Sequence, residues 1–299
     1  MNRRSAIRQL LVAGAGPFLR AASDENYTIR SDVRLVLLDV SVKNARGGFV
    51  TGLSAANFRV FDNGLQQPIK VFDNGAEPVT VGILVDQSSS MAPKRPSVVI
   101  AALTLIEQSN PHDQVFVLHF NENVRRGLPE SISFSDDINE LRAALDRGIP
   151  LGRTALYDAV TAGLEQLELG RAGRKTLVLI SDGKDTASMH KRHDMMHLVE
   201  KSLATIYTIG LLDREDPDRD PGLLEQLAHI SGGEAFLPPD AAHLLVACRA
   251  IAREIRTRYT LGYVPPDETG RHSLRRIRVD VIAPGRDRLV ARTRTSYLS

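Results

Sequence analysis

Oxygen-bearing side chains follow two apolar stretches of the sequence, at the point where each stretch ends. Asp86, Ser88 and Ser90 come directly after the first stretch. Asp182 stands at the end of the second. Carboxylate and hydroxyl oxygens suit a hard cation such as Mg²⁺, whereas zinc more often takes nitrogen and sulfur ligands. The residue types therefore predict a divalent-cation site.

A third polar segment lies between these two in the sequence and contains Thr154. It begins at Gly152 and leads into a predicted helix, where Thr154 occupies the expected N-cap position. The carboxyl ends of neighbouring parallel strands meet at one edge of a sheet, which is also where α/β proteins bind ligands. We therefore expect Asp86 and Asp182 to lie side by side, with Thr154 closing the site.

The elements that position these residues alternate between strands and helices from Pro78 to about Tyr259. The predicted strands are Val79–Val85, Gln114–Phe120, Lys175–Ile180 and Ala204–Leu211. The predicted helices are Pro96–Gln108, Asp137–Asp146, Ala155–Leu167, Asp194–Ser202, Pro221–Ile230 and Ala241–Arg258. Apolar strands that alternate with amphipathic helices predict an α/β fold, with a doubly wound, mostly parallel, Rossmann-like sheet covered on both faces.

Shorter alternating segments flank this region on both sides. Residues 33–42 show the period-2 pattern of a half-buried strand, and the Asn63-Gly64 pair predicts a tight turn. Neither flank is long enough to form a core of its own. We predict that residues 24–77 and 258–299 combine into one small antiparallel β-sandwich, with the α/β domain of residues 78–257 inserted in it.

The composition is that of an ordinary globular protein without a strong charge imbalance. Among the 299 residues, 38 are lysine or arginine and 36 are aspartate or glutamate, which gives a formal net charge of +2. This balance gives no reason to expect nucleic-acid binding. The single cysteine, Cys248, excludes an intrachain disulfide, and its place on the apolar stripe of the last helix predicts a buried side chain.

The first 23 residues have the layout of a secretory signal. A basic start with Arg3 and Arg4 leads into a short apolar stretch, and Ala21-Ala22-Ser23 offers small residues for cleavage. The paired arginines indicate the twin-arginine route. The apolar stretch is too short to span a membrane, so we expect an exported mature protein (periplasmic, cell-surface or secreted) without a transmembrane span. A disordered or amphipathic start is the alternative, because glycine and proline weaken the apolar stretch.

Taken in order, the site residues resemble those of a known family. The metal ion-dependent adhesion site (MIDAS) of von Willebrand factor type A (VWA) domains has the same order of residue types: Asp86-x-Ser88-x-Ser90, then Thr154, then Asp182-Gly183. The resemblance covers residues 78–257. Ser89 departs from the pattern, because the family usually has glycine there. The flanking β segments, with Tyr259-x-Leu261-Gly262-Tyr263 after the last helix, resemble those of exported bacterial VWA-related proteins.

The resemblance implies how the site would hold a metal ion. Ser88 and Ser90 would ligate Mg²⁺, or Mn²⁺ or Ca²⁺ in its place, and Thr154 would bind it directly or through water. Asp86 and Asp182 would act mostly through water. One coordination position would stay open for the carboxylate of an Asp or Glu from a partner protein.

These observations predict a non-enzymatic, metal-dependent protein-binding or adhesion module that acts outside the cytoplasm. Three acidic residues, Asp185, Asp213 and Asp216, are predicted to form a rim that contributes to partner choice. One alternative is a metal-dependent phosphatase or hydrolase, which is disfavoured because aspartate-nucleophile phosphatases usually have a second aspartate where this chain has Ser88. Another is an intracellular VWA scaffold for an ATPase assembly.

A cluster of histidines leaves one further alternative open. His190, His193 and His197 would share one face if the segment is helical, as a zinc site requires. Exposed histidines on a helix are the commoner explanation of such spacing.

Overall fold

A computed structural model of the chain describes residues 35–74, 77–213, 219–266, 273–285 and 288–298. The predicted signal of residues 1–23 and the rim residue Asp216 lie outside these ranges. In chain order the strands are β1 (Val36–Asn44), β2 (Phe58–Asp62), β3 (Leu65–Gln67), β4 (Val71–Asp73), β5 (Val79–Asp86), β6 (Gln114–Phe120), β7 (Val124–Arg126), β8 (Arg174–Ser181), β9 (Thr205–Gly210), β10 (Ala235–Phe236), β11 (Tyr259–Tyr263), β12 (Leu274–Val281), β13 (Leu289–Arg292) and β14 (Ser296–Leu298). The α-helices are α1 (Arg95–Glu107), α2 (Ile138–Asp146), α3 (Leu156–Glu168), α4 (Arg192–Lys201), α5 (Pro221–Ser231) and α6 (Ala241–Thr257).

A central sheet of six strands carries the α/β region. Its strand order is β10-β9-β8-β5-β6-β7, and every neighbouring pair is parallel except β6 with β7. All eight residues of β5 are buried, as expected for a strand inside a parallel sheet with both faces covered. Helix α1 contacts α2 and α6, whereas α4 contacts α3 and α5. The predicted α/β fold with a mostly parallel sheet is confirmed.

Two antiparallel sheets of four strands each are built from both ends of the chain. Their orders are β13-β1-β11-β4 and β14-β12-β2-β3. The two sheets share one apolar core, which includes Phe58, Tyr259 and Tyr263. Asn63 and Gly64 join β2 to β3 with positive φ angles of 49° and 83°, as a tight hairpin turn requires. The predicted sandwich of N-terminal and C-terminal segments is therefore confirmed.

Strand β1 differs from the half-buried strand that its alternation predicts. Ser41, expected on the open face, is only 1 % exposed. On the same face, the carboxylate of Asp39 lies 3.4 Å from the guanidinium of Arg174 in β8. The polar face of β1 is thus covered by the α/β region rather than by water, which alternation within the strand does not reveal.

A buried cluster of charged side chains joins the sandwich to the α/β region. Glu254 and Arg258, at the end of α6, are 0 % and 1 % exposed, and they form an ion pair at 2.9 Å. Arg292 of β13 donates a hydrogen bond to Glu254 at 2.5 Å. Arg258 also donates to the backbone carbonyl of Asp39 and to the hydroxyl of Tyr207, both at 3.0 Å. Elements of both parts therefore meet at one buried carboxylate.

Helix α6 has the apolar face that its sequence predicts. Cys248 is buried there together with Leu244, Ile251 and Ile255. Burial raises the pKa of the Cys248 thiol to about 12, so it stays protonated and unreactive near neutral pH. Within the part of the chain that the structure describes, no helix has the length and apolar character needed to cross a membrane.

Candidate metal site

Asp86 is the last residue of β5, and its carboxylate is bound on both sides. One oxygen accepts a hydrogen bond from the Ser88 amide at 2.8 Å, and the other accepts one from the Ser181 hydroxyl at 2.6 Å. The side chain is only 2 % exposed. Burial raises the pKa of Asp86 to about 6, because the loss of hydration raises the pKa by more than these hydrogen bonds lower it.

The other three residues at the ends of β5 and β8 lie in the same hydrogen-bonded network. The Ser90 hydroxyl donates to Asp182 at 2.6 Å, and the hydroxyls of Ser88 and Ser90 are 3.1 Å apart. Strands β5 and β8 are parallel neighbours, and this pairing brings the two aspartates to the same edge. The structure thus brings four of the predicted ligands together.

Ser181 links the two strand ends and is absent from the predicted site. Its hydroxyl donates to Asp86 and accepts from the Gly183 amide at 3.1 Å. The side chain is fully buried. The sequence signal for it is a hydroxyl residue directly after the predicted strand Lys175–Ile180 and directly before Asp182.

Thr154 lies in the loop of residues 148–155, which we call the threonine loop. Its backbone carbonyl accepts hydrogen bonds from the amides of Thr186 at 2.8 Å and Ala187 at 3.0 Å. The side chain is 3 % exposed. Residue Gly152 of the same loop is hydrogen-bonded to Ser89, which stands between Ser88 and Ser90. The structure therefore connects Thr154 to the other predicted ligands through its two neighbouring loops.

The predicted N-cap role of Thr154 is wrong. Ala155 occupies the N-cap position of α3 and offers no capping side chain. The first amides of the helix, those of Leu156 and Tyr157, donate instead to Asp185 at 2.8 and 3.2 Å. A carboxylate from the loop after β8 replaces the local cap, which leaves the Thr154 side chain free of that role.

The donor set fits a hard divalent cation. Two carboxylates and three hydroxyls, all of them oxygen donors, come from the segments described above. The pKa of Asp86 is shifted most by burial, then by the hydroxyls of Ser181 and Ser88, the Ser88 amide and the Asp182 carboxylate, and none of these is a cation. A divalent cation would place a positive charge beside the buried Asp86 carboxylate.

The rim residues have different surroundings. Asp185 is half-buried and accepts hydrogen bonds from the start of α3 and from the Ser188 hydroxyl, so it has a structural role. Asp213 is exposed after β9, and Asp216 lies outside the described residues. A contribution of these three acids to partner choice stays a prediction.

The histidines do not form a zinc site. His190 precedes α4 and pairs with Asp158 at 2.7 Å, whereas His193 pairs with Asp194 at 2.9 Å. Across the described ranges, no group of three or more His, Cys, Asp or Glu side chains is placed to hold a metal ion. The zinc alternative is therefore wrong for the described arrangement.

The fold and the site together define an α/β protein with an oxygen-rich cluster at the carboxyl edge of a parallel sheet. The sequence profile of the von Willebrand factor type A domain matches residues 81–184. This range contains all five predicted ligands. This stretch of the chain is therefore similar to a von Willebrand factor type A domain. No curated protein sequence matches the chain.

Solved structures are similar to this chain at low sequence identity. A von Willebrand factor type A protein from Catenulispora acidiphila is 15% identical, with a TM-score of 0.53 over 90% of this chain and 75% of that chain. The vWF domain of the type V pili tip protein Mfa5 from Porphyromonas gingivalis is 14% identical, with a TM-score of 0.49 over 60% of this chain and 95% of that chain. An aerotolerance-related membrane protein from Bacteroides fragilis is 16% identical, with a TM-score of 0.47 over 59% and 98%. The first likeness shows the fold.

Proposed function

We propose that this protein is a non-enzymatic binding module that docks a partner protein through a divalent cation at the carboxyl edge of its central sheet. The observation that carries this proposal is the network of Asp86, Ser88, Ser90 and Asp182, in which a buried carboxylate has no cation among its strongest neighbours. An all-oxygen donor set would take Mg²⁺, or Mn²⁺ or Ca²⁺ in its place.

Each side chain of the site would have a distinct part in holding the cation. Ser88 and Ser90 would bind it through their hydroxyls, and Thr154 would bind directly or through water. Asp86 and Asp182 would balance its charge, mostly through bound water. These ligands leave a coordination position for the carboxylate of an Asp or Glu on the partner.

Exposed apolar side chains on the loops of the site support the docking of a protein. Ile149 and Leu151, in the threonine loop, are 75% and 67% exposed, and Met189, in the segment after Asp182, is 92% exposed. Exposed apolar side chains grouped near a polar site are typical of protein-binding surfaces. The module would therefore offer a cation together with apolar contacts around it.

The surroundings of Asp86 argue against the hydrolase alternative. A carboxylate nucleophile must reach the substrate with a free oxygen. Both oxygens of Asp86 accept hydrogen bonds, from Ser88 and Ser181, and the residue is 2 % exposed. This carboxylate is placed to organise the site rather than to attack a substrate.

The inference that the protein is exported comes from the sequence of its first 23 residues. The paired arginines and the small residues within residues 1–23 support export, which would put the module at the cell surface or beyond. N-terminal sequencing of the mature protein tests this. Cleavage near Ser23 supports export, and an intact Met1 in the cytoplasmic fraction supports the scaffold alternative.

Calorimetric titration of the metal-free protein with MgCl₂ and MnCl₂ tests the metal site. We expect the wild type to bind one cation and Asp86→Asn to bind at least about tenfold more weakly, because a charge that balances the metal is lost. Asp136→Asn is the matched control. Asp136 is exposed and follows Ser135, which bridges to Val115 near the opposite end of β6. Equal affinity of the wild type and Asp86→Asn, or no saturable binding by either, contradicts the proposal.

A further inference from the structure

Two hydroxyl groups outside the predicted ligand set hold the threonine loop from opposite sides. The Ser89 hydroxyl accepts a hydrogen bond from the Gly152 amide at 3.0 Å. The Thr186 hydroxyl accepts one from the Thr154 amide at 3.0 Å. Ser89 belongs to the loop after β5, and Thr186 belongs to the loop after β8. Each neighbouring loop thus contributes one hydroxyl to the loop that carries Thr154.

Both contacts are reciprocal. The Ser89 amide donates to the Gly152 carbonyl at 3.1 Å, and the Thr186 amide donates to the Thr154 carbonyl at 2.8 Å. Each hydroxyl residue therefore binds both backbone groups of its partner. A glycine or alanine in its place would keep the bond that the amide makes, but it would leave the amide of Gly152 or Thr154 without its acceptor.

The threonine loop takes its position from its surroundings. Every backbone amide from residue 151 to 155 donates to another segment. Besides the two hydroxyls, the acceptors are the carbonyls of Gln87 at 2.8 Å and Asn121 at 2.7 Å, and the Glu122 carboxylate at 3.4 Å. Removal of an acceptor leaves an amide of the loop unpaired, and this cost disfavours the position that the loop now has. The two hydroxyls are the side-chain acceptors that belong to the loops bearing the other predicted ligands, since Gln87 contributes only its backbone carbonyl.

We propose that Ser89 and Thr186 are positioning residues that set the Thr154 hydroxyl relative to the cation. This inference rests on the proposed metal site. It assigns a role to Ser89, the one position in its loop that departs from the glycine usual in the family. Ser89 joins the threonine loop to the loop after β5, and Thr186 joins it to the loop after β8.

Removal of either hydroxyl should weaken cation binding without unfolding the protein, because both side chains are exposed. We expect Ser89→Ala and Thr186→Val each to lower Mg²⁺ affinity about tenfold, the lower end of the range for groups that orient metal ligands. Ser89→Thr and Thr186→Ser keep the hydroxyl and should restore binding. Ser133→Ala is the control, since its carbonyl contacts Gln166 at the far end of α3 from the threonine loop.

Substitutions in a Thr154→Ala background separate positioning from a general loosening of the site. If Ser89 acts through Thr154, Ser89→Ala should cost less than about threefold once Thr154 has lost its hydroxyl. The same holds for Thr186→Val. A full tenfold loss in that background would mean that the hydroxyl acts on the cation by another route, which overturns the inference.

Calorimetry of this variant set distinguishes the two proposals. Wild-type protein that binds no cation overturns the metal site and this inference together. Cation binding by the wild type that Ser89→Ala and Thr186→Val leave unchanged overturns only the positioning role. Thermal unfolding of each metal-free variant shows whether weaker binding comes with an intact fold.

Discussion

The Asp86 carboxylate is buried, and none of the groups that most affect its pKa carries a positive charge. Its pKa is about 6 against an ordinary value of 3.8, and burial is the main cause. Burial of the charged carboxylate costs free energy, because the charge is held away from water. Binding of a proton or of a divalent cation would reduce this cost, since either one neutralises the charge. The carboxylate therefore links the stability of the metal-free protein to pH.

The sign of this linkage follows from the raised pKa. Because folded Asp86 holds its proton more tightly than unfolded Asp86, its stabilising contribution is complete below the ordinary pKa and is lost as pH rises through about 6. Between pH 4 and pH 7, the metal-free wild type should lose about 2 kcal/mol of unfolding free energy relative to Asp86→Asn. Urea denaturation of both metal-free proteins across this range measures the difference. Parallel pH profiles would contradict the raised pKa.

At this scale the sequence predicts the ligands better than it predicts their supports. Asp86 and Asp182 are marked by the apolar runs that precede them. The roles of Ser181, Ser89 and Thr186 depend on contacts between loops that are far apart in sequence, and a single serine or threonine carries no sign of such a contact. The cap of α3 was predicted wrongly for the same reason, because its acceptor comes from another loop.

At the scale of elements, Asp185 links the loop after β8 to the start of α3. Its carboxylate accepts hydrogen bonds from two amides of that helix. Asp185→Ala should therefore lower the unfolding free energy by about 1–2 kcal/mol, the usual value of an N-cap. The matched comparison is Asp137→Ala, which removes the local cap of α2. Urea denaturation that shows a loss for Asp137→Ala but none for Asp185→Ala would contradict the capping role.

The main elements follow from apolar periodicity, and the small ones do not. The four long strands of the central sheet are predicted to within one residue at each end. Strands β7, β10 and β14 have three, two and three residues, too few to show an alternating pattern. Their pairing is set by the longer neighbouring strand, so the sequence of these segments alone does not reveal them.

At the scale of the whole molecule, the sandwich and the α/β region share a buried carboxylate. The sandwich was predicted because neither flanking β segment is long enough to form a core alone. The buried charged side chains between the sandwich and the α/β region were not predicted. Glu254 and Arg258 are spaced as an ordinary pair on an exposed helix face, yet both are buried. Burial raises the pKa of Glu254, but Arg258, Arg292 and Lys43 outweigh it and hold the pKa at about 2. Its stabilising contribution is therefore present above the ordinary pKa of 4.5 and is lost as pH falls through about 2.

Loss of the Glu254 charge should lower the stability of the whole protein, because Arg258 and Arg292 would face each other without their shared anion. We expect Glu254→Gln to lower the unfolding free energy at pH 7 by about 3–5 kcal/mol, the cost of leaving a buried charge without its partner. Glu234→Gln is the control. Its half-buried carboxylate pairs with Lys43 and Arg292 at 2.7 and 2.8 Å, so we expect a loss of about 1 kcal/mol or less. Urea denaturation measures both, and equal losses would show that the shared buried carboxylate does not hold the two parts together.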